Sequence, residues 1–305
     1  MLLGALGAYC LPHSAAWAQA IEPCLALMLT LTFLQVPLGQ LGRALRQGRF
    51  LAALLAVNFV CIPLLVVFLL HWLPQVPLLR LGVLLVLLAP CIDYVVTFSH
   101  LGRADARLLL AATPLLLLAQ MALLPLYLRL FLGQAEADLV RPTAFLHAFG
   151  TMILLPLTLA ALLQYWAASS RAGRRVAGGL TSLTVPATAL VLWLMMVAML
   201  PQLGAAAAAV LQVLPVYLAF ALAAPLLGWC AGRCLGLAPT AGRAVAFSAA
   251  TRNSLVVLPL ALAVPGAVPI LPAVIVAQTC VELVFQLLYI RMLPVLGAAT
   301  PTARL

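Results

Sequence analysis

The sequence predicts an all-α integral membrane protein of about ten transmembrane helices, and three observations carry that prediction. The chain of 305 residues is 66% hydrophobic and 7% charged, with a mean hydropathy of +1.22. A soluble domain carries roughly 25% charged residues. The apolar runs recur at about the 20 residues that a helix needs to cross a bilayer, separated by short polar breaks. They are continuous rather than alternating, which excludes a β-barrel.

Taken in order, the runs place spans at 1–12, 21–41, 50–73, 78–99, 107–132, 142–166, 178–200, 209–235, 243–264 and 268–296. All but the first are long enough to cross. The opening MLLGALGAYCLPHSAAWAQA ends in an A-x-A pattern but has no basic leader, so it reads as a shortened first helix; a start assigned too late is the alternative. Every one of the 16 basic residues is arginine, in a chain of net charge +10. Arg43, Arg46 and Arg49 follow the second span, Arg103 and Arg107 the fourth, Arg171, Arg174 and Arg175 the sixth, and Arg233 and Arg243 flank the eighth-to-ninth loop. The opposite loops hold only Arg80 and Arg141 with Glu136 and Asp138. The asymmetry predicts a multi-pass protein of the inner (cell) membrane with both termini cytoplasmic, and the basic charge reports orientation rather than a nucleic-acid partner.

Two spans differ from the rest. The fourth contains APCIDYVVTFSH, with Pro90, Cys91, Asp93, Thr97 and Ser99; the ninth contains FSAATRNSLVVLP, with Ser248, Thr251, Arg252, Asn253, Ser254 and Pro259. As fourth and ninth of ten they occupy matched positions in two inverted five-helix repeats, 1–138 and 139–305. Interrupted polar helices at matched positions point to a transporter's midplane site. Charged side chains at depth cost about 2.5 to 3.5 kcal/mol, so Asp93 and Arg252 are either a binding site, a structural salt bridge, or both. The substrate-binding set is therefore Cys91, Asp93, Thr97, Thr251, Arg252 and Asn253, and Arg252 suits an anionic or oxyanion solute.

Gln278, Glu282 and Gln286 form an i, i+4, i+8 stripe on the tenth span, predicted to face the interior. Glu282 and Asp93 are the ion-coupling candidates. Asn58, Gln35 and Gln120 read as interhelical glue and His147 as a structural histidine or a proton relay. Cys91 suits a soft solute or simple packing; the other cysteines in the apolar runs, Cys24, Cys61, Cys230, Cys234 and Cys280, are expected to be small buried packing residues. No cofactor is called for. The expected partners are a small-molecule or oxyanion substrate and the lipid bilayer, with a homodimer left open.

The chain lacks a G-x-x-x-x-G-K-[ST] loop for an ATP-driven pump and an H-E-x-x-H for a membrane metalloprotease. It has only six carboxylates, of which Glu136 and Asp138 form the one close pair, in an external loop. A membrane-embedded enzyme is disfavoured on that ground, and a sensor by the charges at matched breaks.

Over nearly its whole length the chain resembles the bile acid:sodium symporter superfamily and, within it, the arsenite permeases. FLQVPLGQLGRALRQGRFLAALLAVNFVCIPLL, APCIDYVVTFSHLGRAD and AFSAATRNSLVVLPLALA carry the likeness. The resemblance implies crossed, discontinuous fourth and ninth helices, a core of helices 3–5 and 8–10, and a panel of helices 1, 2, 6 and 7. It matches Cys91 to the permeases' functional cysteine and Asn253 to an asparagine of their ninth-helix motif. Leu255 stands where they carry a glutamate and Asp93 where they carry a small apolar residue. Against the sodium symporters' E-T-G-M-Q-N, Ser248 replaces the glutamate and Arg252 the glutamine. The implied activity is export of arsenite or a related solute, proton-coupled rather than sodium-coupled, with Arg252 standing in for the sodium ion; the alternative is a sodium-coupled or uncoupled transporter of a small organic anion.

Overall fold

The computed structural model of the protein describes residues 14–35, 46–92, 94–131, 147, 149–199 and 203–297. The span called at 1–12, the acidic external loop and Asp93 lie outside the described residues. Every named element is a helix: α1 (Ser14–Gln35), α2 (Gly48–Trp72), α3 (Pro77–Leu87), α4 (Tyr94–Leu101), α5 (Ala106–Phe131), α6 (Leu155–Ser169), α7 (Arg171–Ser182), α8 (Thr184–Met199), α9 (Leu203–Cys234), α10 (Pro239–Ala250), α11 (Ser254–Leu262) and α12 (Ile270–Met292). Among the described residues four helices are long and apolar enough to cross a membrane, Gly48–Trp72, Ala106–Phe131, Ala206–Cys234 and Ile270–Val295. The fourth and ninth spans are each two half-helices, α3 with α4 and α10 with α11.

The burial pattern is that of a protein in lipid. Leu64, Phe68, Leu126, Leu130, Leu222 and Val284 are exposed, while Asn58, Gln120, Ser248, Arg252, Glu282 and Gln286 are buried. Apolar side chains facing outward around a polar interior suit a hydrocarbon solvent and would be costly in water. Two packed groups are evident. α1 packs on α6, α7 and α8, whereas α9, α10, α12, α2 and α3 pack on one another.

Prolines inside helices leave a carbonyl four residues earlier without its amide donor, which lipid cannot replace. Side chains fill the gap. Pro63 orphans Phe59, whose carbonyl accepts from Tyr127 of α5; Pro225 orphans Ala221, which accepts from Tyr289 of α12; Pro114 orphans Leu110, which accepts from Thr113 at 2.8 Å. Ahead of Pro63, α2 loosens into a π turn over Val57–Cys61, the kind of bulge that often marks a functional position.

Some expectations give way. The arginine-rich stretch after the sixth span is not a loop but α7, because Ser170 caps it by accepting from Gly173 N at 3.3 Å. Consequently the seventh span starts at Thr184 rather than 178. Cys230, Cys234 and Cys280 are exposed and Cys24 and Cys61 only half-buried, so of the described cysteines Cys91 alone is buried. An i, i+4 spacing fixes a shared face without saying which way it turns. His147 is likewise exposed. Gln120 is buried, with neither amide atom hydrogen-bonded, which is not the role of glue.

Candidate functional site at the paired helix breaks

The two breaks are local consequences of sequence. Pro90 has no N–H to continue α3 and drives the residue before it toward extended backbone. The second break has no proline. There the Thr251 hydroxyl takes the Phe247 carbonyl at 2.6 Å, Thr251 adopts φ −105° and ψ 127°, and Asn253 restarts a helix by accepting from Val256 N at 3.4 Å. The extended segments then pair as a short antiparallel bridge between Pro90 and Arg252. Asn253 N donates to Ala89 O at 2.7 Å and Cys91 N to Thr251 O at 3.1 Å. Each break thus satisfies backbone groups of the other, and the fourth and ninth spans meet at their interruptions. α10 packs beside α4, and α11 beside α3.

Arg252 occupies the crossing and is 0% exposed. Its Nη2 donates to Ser248 O and Ala249 O, each at 2.6 Å, and to Asn58 Oδ1 at 2.9 Å; Nη1 donates to Leu87 O at 3.3 Å. Those carbonyls are the C-terminal ends of α10 and α3, where the helix dipole is negative and the last carbonyls have no amide of their own. The guanidinium caps both ends at once, with Phe220 beneath it, its ring centroid 5.5 Å from Cζ. Asn58 comes from the π turn of α2 and braces the seat, donating to Ser248 Oγ and Leu54 O at 3.0 Å each.

The opposite side of the break faces α12. Arg252 N donates to Glu282 Oε2 at 2.8 Å, and Gln278 Nε2 donates to the same oxygen at 2.7 Å. Tyr94 Oη lies 2.6 Å from Glu282 Oε1 and 2.9 Å from Arg252 O. Gln286 Nε2 donates to Thr251 Oγ1 at 2.7 Å, and Thr279 Oγ1 to Ser254 Oγ at 2.8 Å. The glutamine and glutamate stripe therefore does face the interior, where it clamps the ninth span at its break.

Of the residues expected to form the site, Cys91, Thr251, Arg252, Asn253 and Glu282 converge on the crossing, and the first four are fully or almost fully buried. Asp93 lies outside the described residues. Thr97 is exposed on α4 and takes no part in the cluster. The side-chain Nδ2 of Asn253 is buried without a partner, a donor left over at the start of α11. Sequence reasoning missed Tyr94; it read Asn58 as interhelical glue, as the bond to Ser248 bears out, but not as a partner of Arg252. The available signals were the adjacency of Tyr94 to the polar run and the position of Asn58 five residues before Pro63.

The model of the Sodium Bile acid symporter family matches residues 22–214, well over half of the chain. The chain belongs to that family. A multi-pass membrane protein of transporter type follows, and sodium bile acid symporters are transporters rather than enzymes. The match includes Cys91 and Thr97 but ends before α10, so the Arg252 and Glu282 cluster lies beyond it. No curated protein matches the chain.

Proposed function

We propose that this member of the sodium bile acid symporter family is a secondary transporter of arsenite-permease type, exporting arsenite or a similar small oxyanion or thiophilic solute by alternating access. The observation that carries the reading is the pairing of two interrupted helices at a buried, polar crossing. Irregular backbone persists at membrane depth only where it is buried in protein or lines a path. The substrate site is assigned to Cys91, Asp93, Thr251, Arg252 and Asn253, without the exposed Thr97.

In this reading ten helices form two inverted repeats, 1–138 and 139–305, in the inner membrane with both termini cytoplasmic. The packing of α1 with α6, α7 and α8, and of α2, α3, α9, α10 and α12 with one another, the two groups meeting where α11 touches α1, supports a panel that moves against a core. Three contacts support the orientation. Asp105 N donates to Thr240 O at 3.0 Å, Arg243 Nη1 to Pro294 O at 2.9 Å, and Gln35 Nε2 to Thr181 O at 3.4 Å, joining the arginine-rich ends to one another.

Uptake into everted vesicles tests the function, with arsenite, antimonite and small organic anions offered under separate proton and sodium gradients. Cys91→Ser is expected to abolish arsenite movement while membrane insertion stays intact. Unchanged arsenite flux would reduce Cys91 to a packing residue.

Sodium has no seat at Arg252. Hard cations take several oxygen ligands, and here the converging carbonyls already coordinate a guanidinium, which offers donors only and repels a second cation. Replacing sodium with choline at fixed membrane potential and pH gradient should therefore leave flux unchanged. Strong, saturable stimulation by sodium would instead favour the second reading, sodium-coupled movement of a small organic anion, which the family itself commends.

A further inference from the structure

The contacts of Tyr94 and Glu282 do not balance if Glu282 is a carboxylate. A phenol carries one proton, yet Tyr94 Oη faces two oxygens, Glu282 Oε1 at 2.6 Å and Arg252 O at 2.9 Å. A peptide carbonyl has no proton to give. If Tyr94 donated to Glu282, its lone pairs would face the Arg252 carbonyl. If it donated to Arg252 O, two oxygens without a hydrogen between them would stand 2.6 Å apart, unless Glu282 itself supplied one. The other carboxyl oxygen, Oε2, accepts from Arg252 N and from Gln278 Nε2.

We infer that Glu282 is a neutral carboxylic acid in this conformation, its proton on Oε1 and donated to Tyr94, whose own proton goes to Arg252 O. Every group in the ring is then satisfied. A neutral acid is at once a donor and an acceptor, and the peptide of Arg252 offers one acceptor and one donor; Tyr94 closes the gap between the first pair. The same peptide is the one at which the two breaks pair. Loss of the proton would turn the Tyr94 hydroxyl from Arg252 O to Glu282 Oε1 and strip that carbonyl of its donor, so α4 holds the peptide at the break only while the proton is bound. Tyr94 is thus a positioning residue that converts protonation of α12 into a contact at the crossing. The inference deepens the proposed proton coupling and rests on it for its use in transport, though not for the protonation itself.

Among the described residues, the ionisable groups acting on Glu282 are Tyr94 from α4, Arg252 at the break and Tyr289 on α12; Cys91, on the facing break, acts on Arg252. Among the described residues only Tyr94 touches Oε1.

Infrared spectroscopy of the full chain in liposomes at neutral pH tests this without any substrate. The expected result is a protonated-acid carbonyl band that shifts in heavy water, is lost in Glu282→Gln and moves in frequency in Tyr94→Phe, where the acid loses its acceptor. A full band in Glu282→Gln would overturn the assignment, and a band at the wild-type frequency in Tyr94→Phe would overturn the relay. Should Glu282→Gln fail to fold, wild type and Tyr94→Phe carry the same readout. Flux separates the two ideas. A band that behaves as expected, with wild-type flux insensitive to pH, rejects proton coupling and leaves the protonated acid standing; pH-dependent flux without the band rejects the acid and leaves the coupling.

Discussion

Replacing Arg252 with glutamine should remove most of the folded protein from the membrane fraction. Three backbone carbonyls, Leu87, Ser248 and Ala249, and the Asn58 amide oxygen lose their donor together. A buried polar group left unpaired costs about 1 to 3 kcal/mol. Even with partial relaxation the loss comes to roughly 5 kcal/mol, a large share of the 5 to 15 kcal/mol that holds a typical domain together. Lysine is not a conservative replacement. A compact ammonium cannot reach two helix ends and a side-chain amide as the planar fork does. The measurement is the monodisperse fraction and melting temperature of detergent-solubilised protein, with exposed Arg46→Gln as the control. If Arg252→Gln elutes as a single species and melts within a few degrees of wild type, the guanidinium does not hold the crossing.

Much of this site was legible because the chain is so apolar. Against a hydrocarbon background, Pro90 with its polar neighbours and the run from Ser248 to Ser254 stand out, and the i, i+4 spacing of Gln278, Glu282 and Gln286 fixes their common face. What Arg252 does there was not legible. The sequence offers Asp93 as the obvious counter-charge, whereas the described partners are mainly carbonyls, which every residue possesses and which only the geometry of two helix ends brings to one point. A tyrosine in an apolar helix likewise announces packing, and Tyr94 becomes informative only when its hydroxyl is found between Glu282 and Arg252 O. The π turn that aims Asn58 at Arg252 adds a residue to one turn of α2 and leaves no trace in hydropathy. The expected burial of the cysteines failed for a complementary reason: Cys230 and Cys234 share a face, but the face turns outward because the side that packs inward is taken by glycines.

Those glycines set the last expectation, a loss of stability and transport when Gly228 is enlarged. Gly228 and Gly232 form a G-x-x-x-G pair on α9, a spacing that lets two membrane helices approach closely. A Cβ at Gly228 would fall 2.6 Å from Ala246 Cα and 2.8 Å from Val245 O, and one at Gly232 would fall 2.9 Å from Gly242 Cα. These are backbone atoms of α10, so no rotamer change relieves the clash and the whole half-helix must retreat. α10 carries Ser248 and Ala249, whose carbonyls hold the Arg252 guanidinium. Gly228→Ala should therefore cost about 1 to 3 kcal/mol, as overpacking generally does, and Gly228→Leu more, with transport falling as the seat is pulled apart. Gly178→Ala is the matched control. That glycine has nothing within 4 Å of its would-be Cβ, and alanine is the better helix former by about 1 kcal/mol. The control should thus be neutral or slightly stabilising. Melting curves of the two alanine variants side by side decide the matter, because equal stability would mean that α9 and α10 have room between them and that the Arg252 seat does not depend on their close approach.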